Sequence, residues 1–445
     1  MHIDFKGKRV TVVGLGRSGV AAARALDSLG AVVTVTDKKP MEQLNSQLRA
    51  IGSSRIIVEA GGHPERAFSG ADLIVLSPGV PKGPQILAAL QRGLKVISEL
   101  ELAWLLSDAP FVGITGTNGK STVTTLVGLM LARAQKKVLV AGNIGNALTE
   151  DISLLKHQDW IIAELSSFQL EDIDTFRPRV AAILNVTQDH LDRHHDIDEY
   201  GEAKARVFMN QRKEDFLVLN FDDPLVKSYA KRTAATVIPF SRMLRFNPGA
   251  CVLDGYLVFN NKRVIHADEI KIKGVHNLEN ALAAAALAIC AGADIPRVAE
   301  VLREFPGLEH RLEFVREKDG VSYINDSKGT NVGAVVKSVE GFTQPVILIA
   351  GGLDKGSDFS PLYNLFRKKV KLLILIGKAA DKMGKILGTS TQTVFAKTLQ
   401  DAVVLASTGA SRGDIVLLSP ACASFDMFKD FEDRGKQFKE AVKSL

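Results

Sequence analysis

Cysteine is nearly absent from this chain: Cys251, Cys290 and Cys422 are the only three in 445 residues, far apart and forming no Cys-x-x-Cys. That excludes a disulfide framework and a cysteine-built structural zinc site, and it fits a reducing compartment. The opening Met1-His2-Ile3-Asp4-Phe5-Lys6-Gly7-Lys8-Arg9 lacks the apolar core of a secretory leader. Long hydrophobic runs are missing too. The longest, residues 281–293, is mostly alanine and falls short of the roughly 20 residues that span a bilayer. A cytoplasmic protein without membrane insertion is expected. Nor is there a surplus of one charge: 56 Lys+Arg against 50 Asp+Glu leaves +6, with a pI near 9.0. No basic run resembles a nucleic-acid arm, so the mild excess favours small anions and no nucleic acid.

Hydrophobic residues make up 46% and charged residues 24%. This is the composition of a folded globular protein and not of a disordered, collagen-like or coiled-coil chain. At about 150 residues per domain, the length suggests about three domains. The first segment alternates apolar runs (10–13, 32–36, 72–76, 95–97) with helical stretches, the mark of parallel βαβ units. The second begins with a strand at 111–114 and a helix through Ala132, with further strands ending at Ala141, Leu165 and Asn185. From 216 to 273 short β-prone runs with turns at Asn247-Pro248-Gly249 and Asn260-Asn261 predict an antiparallel patch, followed by an Ala-rich helix near 277–291. The third segment, from Pro306-Gly307, again reads βαβ, with strands at 346–350, 372–376 and 415–418. The expected fold is α/β in three consecutive domains, 1–98, 99–306 and 307–445. The outer two are Rossmann-like; the central one is a P-loop-type ATPase domain carrying the antiparallel patch. Sites in such sheets lie beyond the carboxyl ends of the strands.

The sharpest motif is Gly113-Ile114-Thr115-Gly116-Thr117-Asn118-Gly119-Lys120-Ser121-Thr122, between a strand and a helix. Glycines let backbone N–H groups turn toward phosphate oxygens, Lys120 bridges the β/γ oxygens, and the Ser121 hydroxyl can ligate Mg²⁺. A strict P-loop would carry glycine where Ile114 stands; here glycines fall at 113, 116 and 119. A nucleoside triphosphate is the expected ligand. The earlier Gly14-Leu15-Gly16-Arg17-Ser18-Gly19, with Asp37 some 20 residues on, says less. It suits NAD or a nucleotide-diphosphate sugar equally, and a purely structural turn is a third reading.

Glu164 ends an apolar run and precedes Leu165-Ser166-Ser167-Phe168-Gln169-Leu170; a carboxylate there can hold Mg²⁺ directly or through water. The run ending at Asn185 leads into Asp189-His190-Leu191-Asp192-Arg193-His194-His195. Its histidines and aspartates could suggest a transition metal. A solvated loop with one functional histidine fits better, because only Asp189-His190 lies at the strand end. Lys204, in Glu202-Ala203-Lys204-Ala205-Arg206, reads by default as a helical surface lysine.

Taken together, residues 113–122, Asn143-Ile144-Gly145, Glu164, Asp189-His190, His276-Asn277, His310-Arg311 and Asn325-Asp326-Ser327-Lys328 resemble, in order and over the whole chain, the Mur ligases. These are ATP-dependent amide-forming enzymes of peptidoglycan precursor synthesis. Residues 164–170 and Ser419-Pro420-Ala421-Cys422-Ala423-Ser424-Phe425-Asp426 resemble the branch that adds D-glutamate to UDP-N-acetylmuramoyl-L-alanine, and the Asp-Asn-Pro-Arg of the diaminopimelate-adding branch is absent. The resemblance implies a cytoplasmic, monomeric enzyme whose first domain holds the UDP of the substrate and no NAD. Arg17 and Ser18 would meet the diphosphate, Asp37 and Lys38 the uracil, and Ser77, Gly79 and Asn143 the uridine and sugar. For ATP it implies Gly116 to Thr122 (Gly116, Thr117, Asn118, Gly119, Lys120, Ser121, Thr122), Asn277 and Asn280 by the adenine, and Arg311, Asp326 and Lys328 by ribose and phosphates. Lys120, His190 and Lys204 would be catalytic. Ser121, Glu164, His190 and Lys204, the last as a CO₂-derived carbamate, would hold Mg²⁺. For D-glutamate it implies Thr330, Lys355, Ser424, Phe425 and Phe431. In Gly351-Gly352-Leu353-Asp354-Lys355 the aspartate adjoins the lysine, which leaves Asp354 without an implied role. The rivals are a sibling ligase for another amino acid, a nicotinamide-dependent dehydrogenase built on the first glycine loop, and a non-catalytic ATP-driven switch.

Overall fold

The computed structural model describes residues 4–189, 193–354 and 356–445, without the Ser153 side chain. Among the described residues there are three sheets. The first is all parallel: β1 (Arg9–Val13), β2 (Val32–Asp37), β3 (Ile57–Ala60), β4 (Leu73–Leu76) and β5 (Lys95–Ser98), in the order β3-β2-β1-β4-β5. The second contains β6 (Phe111–Thr115), β7 (Val138–Gly142), β8 (Trp160–Glu164), β9 (Val180–Ile183), β10 (Phe216–Asn220), β11 (Thr236–Ser241), β12 (Ala250–Leu253), β13 (Tyr256–Phe259) and β14 (Lys262–His266). Its order is β14-β13-β12-β11-β10-β9-β6-β8-β7. The third joins β15 (Glu313–Lys318), β16 (Val321–Asn325), β17 (Val346–Gly351), β18 (Val370–Ile376), β19 (Gln392–Phe395) and β20 (Ile415–Leu418) as β15-β16-β20-β17-β18-β19.

The antiparallel patch is smaller than the sequence pattern suggests. β10 pairs parallel with β9 on one side and with β11 on the other, and only β12–β13–β14 run antiparallel. The fully buried 217–219 core of β10 explains this: a strand covered on both faces belongs inside a parallel sheet.

The first two sheets share one compact unit (Met1–Val186, Asp198–Ile270, Leu278–Glu304). The second unit is Thr187–Ile197, Lys271–Asn277 and Phe305–Leu445. The helix Glu99–Leu106 ties the first two sheets together. Trp104 on it meets Phe111 and Phe176 edge-on, at ring-centroid distances of 5.8 and 5.9 Å. The wholly buried Glu101 carboxylate accepts the N–H groups of Asp174, Thr175 and Phe176 and the Thr175 hydroxyl. A buried carboxylate with this many donors is a stable anchor. Lys82–Asp172 and Lys95–Asp174 ion pairs flank it.

Candidate functional site

β6 is buried throughout and runs straight into the second glycine loop and the helix Lys120–Arg133. Gly116 and Gly119 both have positive φ, 148° and 86°. A methyl group on Gly119 would run into Asn280 Oδ1, so the loop's close packing demands glycine there. Asn185 supports the turn from below: its carbonyl accepts Thr117 N–H at 2.9 Å, its Oδ1 accepts Asn118 N–H at 2.8 Å, and its Nδ2 donates to Asn118 O. Lys120 Nζ donates to the carbonyls of Gly116 and Thr117, both at 2.8 Å. Lys204 Nζ donates to the same Gly116 carbonyl at 3.0 Å and lies 4.2 Å from the Tyr200 ring centroid.

Lys204 is therefore no surface lysine. It is 1% exposed, and its helix, Ile197–Ala205, turns it onto the phosphate loop. The solvated-loop reading of 187–195 is also corrected in part, because His194 is buried. His190 and Asp192 lie outside the described residues. Among the described ones no group of three or more His, Cys, Asp or Glu comes together.

Glu164 sits at the end of β8, nearly inaccessible. Its Oε1 accepts from Asn143 Nδ2 at 2.8 Å, while Oε2 is buried without a partner. The Thr115 and Thr122 hydroxyls beside the loop are also buried and unpaired. An orphaned, buried carboxylate oxygen and unpaired hydroxyls on and beside the loop are oxygen donors of the kind a hard cation takes, so these residues fit Mg²⁺.

In the same unit, Gly16, Arg17, Ser18, Ser77, Pro78, Gly142, Asn143 and Gln169 line a cavity of about 220 Å³. It gathers four of the predicted UDP-substrate residues, Arg17, Ser18, Ser77 and Asn143, from both sheets. Ser77 Oγ donates to Gly14 O at 2.8 Å, closing the ends of β4 and β1 together. Asp37 Oδ2 accepts Leu15 N–H at 2.6 Å and Oδ1 accepts Lys39 N–H at 2.9 Å, so this acid first of all shapes its own loop. Lys38 and Gly79 are exposed nearby in sequence but do not line the cavity. Gln169 was not anticipated. Its Oε1 accepts from the backbone N–H and the hydroxyl of Ser166 in a capping box. The Ser-x-x-Gln spacing at 166–169 was the available signal.

In the second unit, Asp326 is buried at the end of β16 and accepts the hydroxyls of Ser338 and Ser419, both at 2.7 Å. Burial pushes its carboxyl above the ordinary range despite these donors. Arg311 Nε is buried without a partner, and Lys328 Nζ lies 5.1 Å over the Phe431 ring. His310, with φ 62°, is held by Asn325 Nδ2 at its Nδ1. Asn277 Nδ2 donates to Lys273 O. The unpredicted Arg434 is fully buried and clamps this region, donating to Ser327 Oγ, Ser327 O and Cys422 O. Of the residues implied for D-glutamate, Ser424 is buried, Phe431 partly so, and Thr330 and Phe425 are exposed; Lys355 lies outside the described residues. Asp354, left without a role, pairs with Lys382 at 2.7 Å and accepts Ser357 N–H. Burial pushes its carboxyl up, but Lys382 and Ser357 outweigh that and hold it below the usual range.

Three family profiles match the chain in order: a MurD-like Mur ligase N-terminal domain at residues 8–98, the Mur ligase middle domain at 114–288, and the Mur ligase glutamate ligase domain at 310–422. The UDP-N-acetylmuramoylalanine–D-glutamate ligase of Caldanaerobacter subterraneus subsp. tengcongensis is 46% identical over all of both chains. That of Geotalea daltonii is 47% identical over all of this chain and 99% of its own. Among solved structures, a pseudomurein peptide ligase type C from Methanothermus fervidus superposes with TM-score 0.63 at 20% identity, covering 98% of this chain and 100% of that one. The UDP-N-acetylmuramate-alanine ligase of Thermotoga maritima gives 0.62 at 20% identity, covering 98% and 99%. These two likenesses speak to the fold.

Proposed function

The chain belongs to the Mur ligase family, and from that premise we propose that it joins D-glutamate to UDP-N-acetylmuramoyl-L-alanine with ATP, releasing ADP and phosphate, in peptidoglycan precursor synthesis. The observation that carries the reaction class is one unit holding two separate sites: a phosphate loop with two lysines on it, and a polar cavity at the first glycine loop. A dehydrogenase would need the first site alone. In addition, both oxygens of Asp37 already accept backbone N–H groups.

The L-alanyl carboxylate attacks the γ-phosphorus of ATP, and the bond to the β,γ-bridging oxygen breaks, giving an acyl phosphate and ADP. The D-glutamate amine then attacks the acyl carbon; the tetrahedral intermediate expels phosphate and loses the ammonium proton to a base. Lys120, released from the Gly116 and Thr117 carbonyls, follows the transferring phosphoryl group. Asn143 orients Glu164. Ser121, Glu164, His190 and Lys204 would hold Mg²⁺, which when bound spreads the phosphate charge. Asn277 and Asn280 serve the adenine side, and Arg311, Asp326 and Lys328 the ribose and phosphates. Thr330, Lys355, Ser424, Phe425 and Phe431 serve D-glutamate. The finer assignments of a cytoplasmic monomer and of domains at 1–98, 99–306 and 307–445 belong to the same proposal. Among the described residues no helix is long and apolar enough to cross a membrane.

The carbamate of Lys204 rests on its burial against the loop. An ammonium beside bound Mg²⁺ would be repelled. The ammonium first loses a proton; the neutral amine then attacks CO₂, forming an N–C bond and releasing a second proton, so that +1 becomes −1, an oxygen ligand for a hard cation. The test of the whole reading is ADP release measured with and without UDP-N-acetylmuramoyl-L-alanine and each candidate amino acid. Release that needs both the UDP substrate and D-glutamate supports it. Release indifferent to the acceptor, or strictest for another amino acid, contradicts it.

A further inference from the structure

Glu99 opens the helix Glu99–Leu106 and is 1% exposed. Its Oε1 accepts the Thr149 N–H at 2.7 Å and the Thr149 hydroxyl at 2.8 Å, while Oε2 is buried with no hydrogen-bond partner. Thr149 ends the segment that begins at Gly142 and Asn143, one wall of the cavity. That segment is fixed at its other end, where Asn143 N–H donates to Glu164 O and Gly142 N–H to Asn146 O. Arg17, on the opposite wall, is the charged group that bears on Glu99 from the packed helix Arg17–Ser28.

The other neighbours offer no competing charge. The 148–149 backbone presents N–H groups, and those of Thr149 and Leu148 both favour the ionised carboxylate. The short helix Ser167–Leu170 carries no ionisable side chain. Lys95 of β5 is paired to Asp174, Glu101 is saturated by four donors, and Asp151, beside the turn Ile152–Leu154, accepts from Asn146.

We propose that Glu99 is a positioning residue for the UDP-substrate cavity: it pins the 142–149 segment behind Asn143 and answers to Arg17, so that a diphosphate arriving at Arg17 drives a proton onto Glu99. Burial pushes the Glu99 carboxyl up to about 7, against the Thr149 donors and the Arg17 charge, which favour the ionised form. An anion at Arg17 cancels that help and raises the group further, so near pH 7 binding takes up a fraction of a proton, at most about half. The unpaired Oε2 is the atom that accepts it. The inference rests on the cavity being the UDP-substrate site.

The experiment is titration calorimetry of UDP-N-acetylmuramoyl-L-alanine into the full chain at pH 7, in buffers of different protonation enthalpy. The wild type is expected to bind with a buffer-dependent heat that reports proton uptake, and Glu99→Gln, which keeps the acceptor for Thr149, to lose that dependence. Glu99→Ala, which releases the segment, should raise the KM for the UDP substrate about tenfold and that for ATP less than about twofold. Wild-type binding without buffer dependence, or uptake that persists in Glu99→Gln, overturns the proposal while leaving the cavity reading intact. No binding by the wild type overturns the cavity reading and this proposal with it.

Discussion

The two glycine-rich turns of the first unit look alike as strings: each follows a buried strand, opens a helix and spaces its glycines by two or three residues. The first is closed by a carboxylate. Asp37 accepts the Leu15 N–H, Ser77 donates to the Gly14 carbonyl, and Arg17, the cation within the loop, stays exposed at a polar cavity. The second is closed by a carboxamide and two ammonium groups. Asn185 holds the Thr117 and Asn118 N–H groups, while Lys120 and Lys204 share the Gly116 carbonyl. A loop tied by an acid suits a ligand that is anionic in one part and neutral elsewhere. A loop held by two cations, one of them buried, suits a triphosphate. What separates them is the partner each loop recruits from far along the chain.

The largest effect should come from Lys120→Ala, which removes the phosphate clamp and should lower kcat by about 10³-fold or more. A steady-state ADP-release assay reads it, and near-normal turnover would demote the second loop to a turn. Lys204→Ala should lose about 100-fold, with part of the rate restored by formate or acetate filling the vacated oxygen position. Full activity without rescue would mean that its burial serves packing alone. Next come the glycines. Gly119→Ala places a methyl group against Asn280 at positive φ and should cost about 1–3 kcal/mol of stability. Gly16→Ala has open space around it and negative φ and should stay within about 0.5 kcal/mol. Denaturant titration of both variants checks the contrast, and equal losses would erase it.

The last effect is pH-dependent. With the Glu99 carboxyl raised to about 7 in the folded chain, the native state holds a proton that the unfolded state has released between about pH 4.5 and 7. Stability from this group therefore falls as pH rises through that window, by up to roughly 3 kcal/mol. Glu99→Gln should flatten the decline in unfolding free energy between pH 5 and 8. A decline that persists unchanged would place its source elsewhere.

Most strands were legible as apolar runs because they are buried on both faces, as in 346–351 and 415–418. β3, β15, β16 and β19 were not: Ile57–Ala60, Glu313–Lys318 and Gln392–Phe395 are half-exposed edge strands whose patterns alternate weakly, and the interior Val321–Asn325 is a short run interrupted by Ser322. The second glycine loop was legible because its chemistry is local. Lys204, Glu99 and Arg434 were not, since their importance lies in burial and in partners tens of residues away. Lys204 lies 88 positions from Gly116, Glu99 lies 50 from Thr149, and Arg434 lies 107 from Ser327. Only the family resemblance raised Lys204 above a surface lysine. Nothing in the letters marked Glu99 apart from the chain's other glutamates.

The division of labour between the two loops is tested most directly by binding, with chemistry set aside. UDP-N-acetylmuramoyl-L-alanine and a non-hydrolysable ATP analogue would each be titrated into Lys120→Ala and into Arg17→Glu. The account predicts a crossover: Lys120→Ala loses about tenfold or more in affinity for the ATP analogue and keeps the UDP substrate, while Arg17→Glu does the reverse. Loss of both ligands in either variant, or a crossover in the opposite sense, would contradict it.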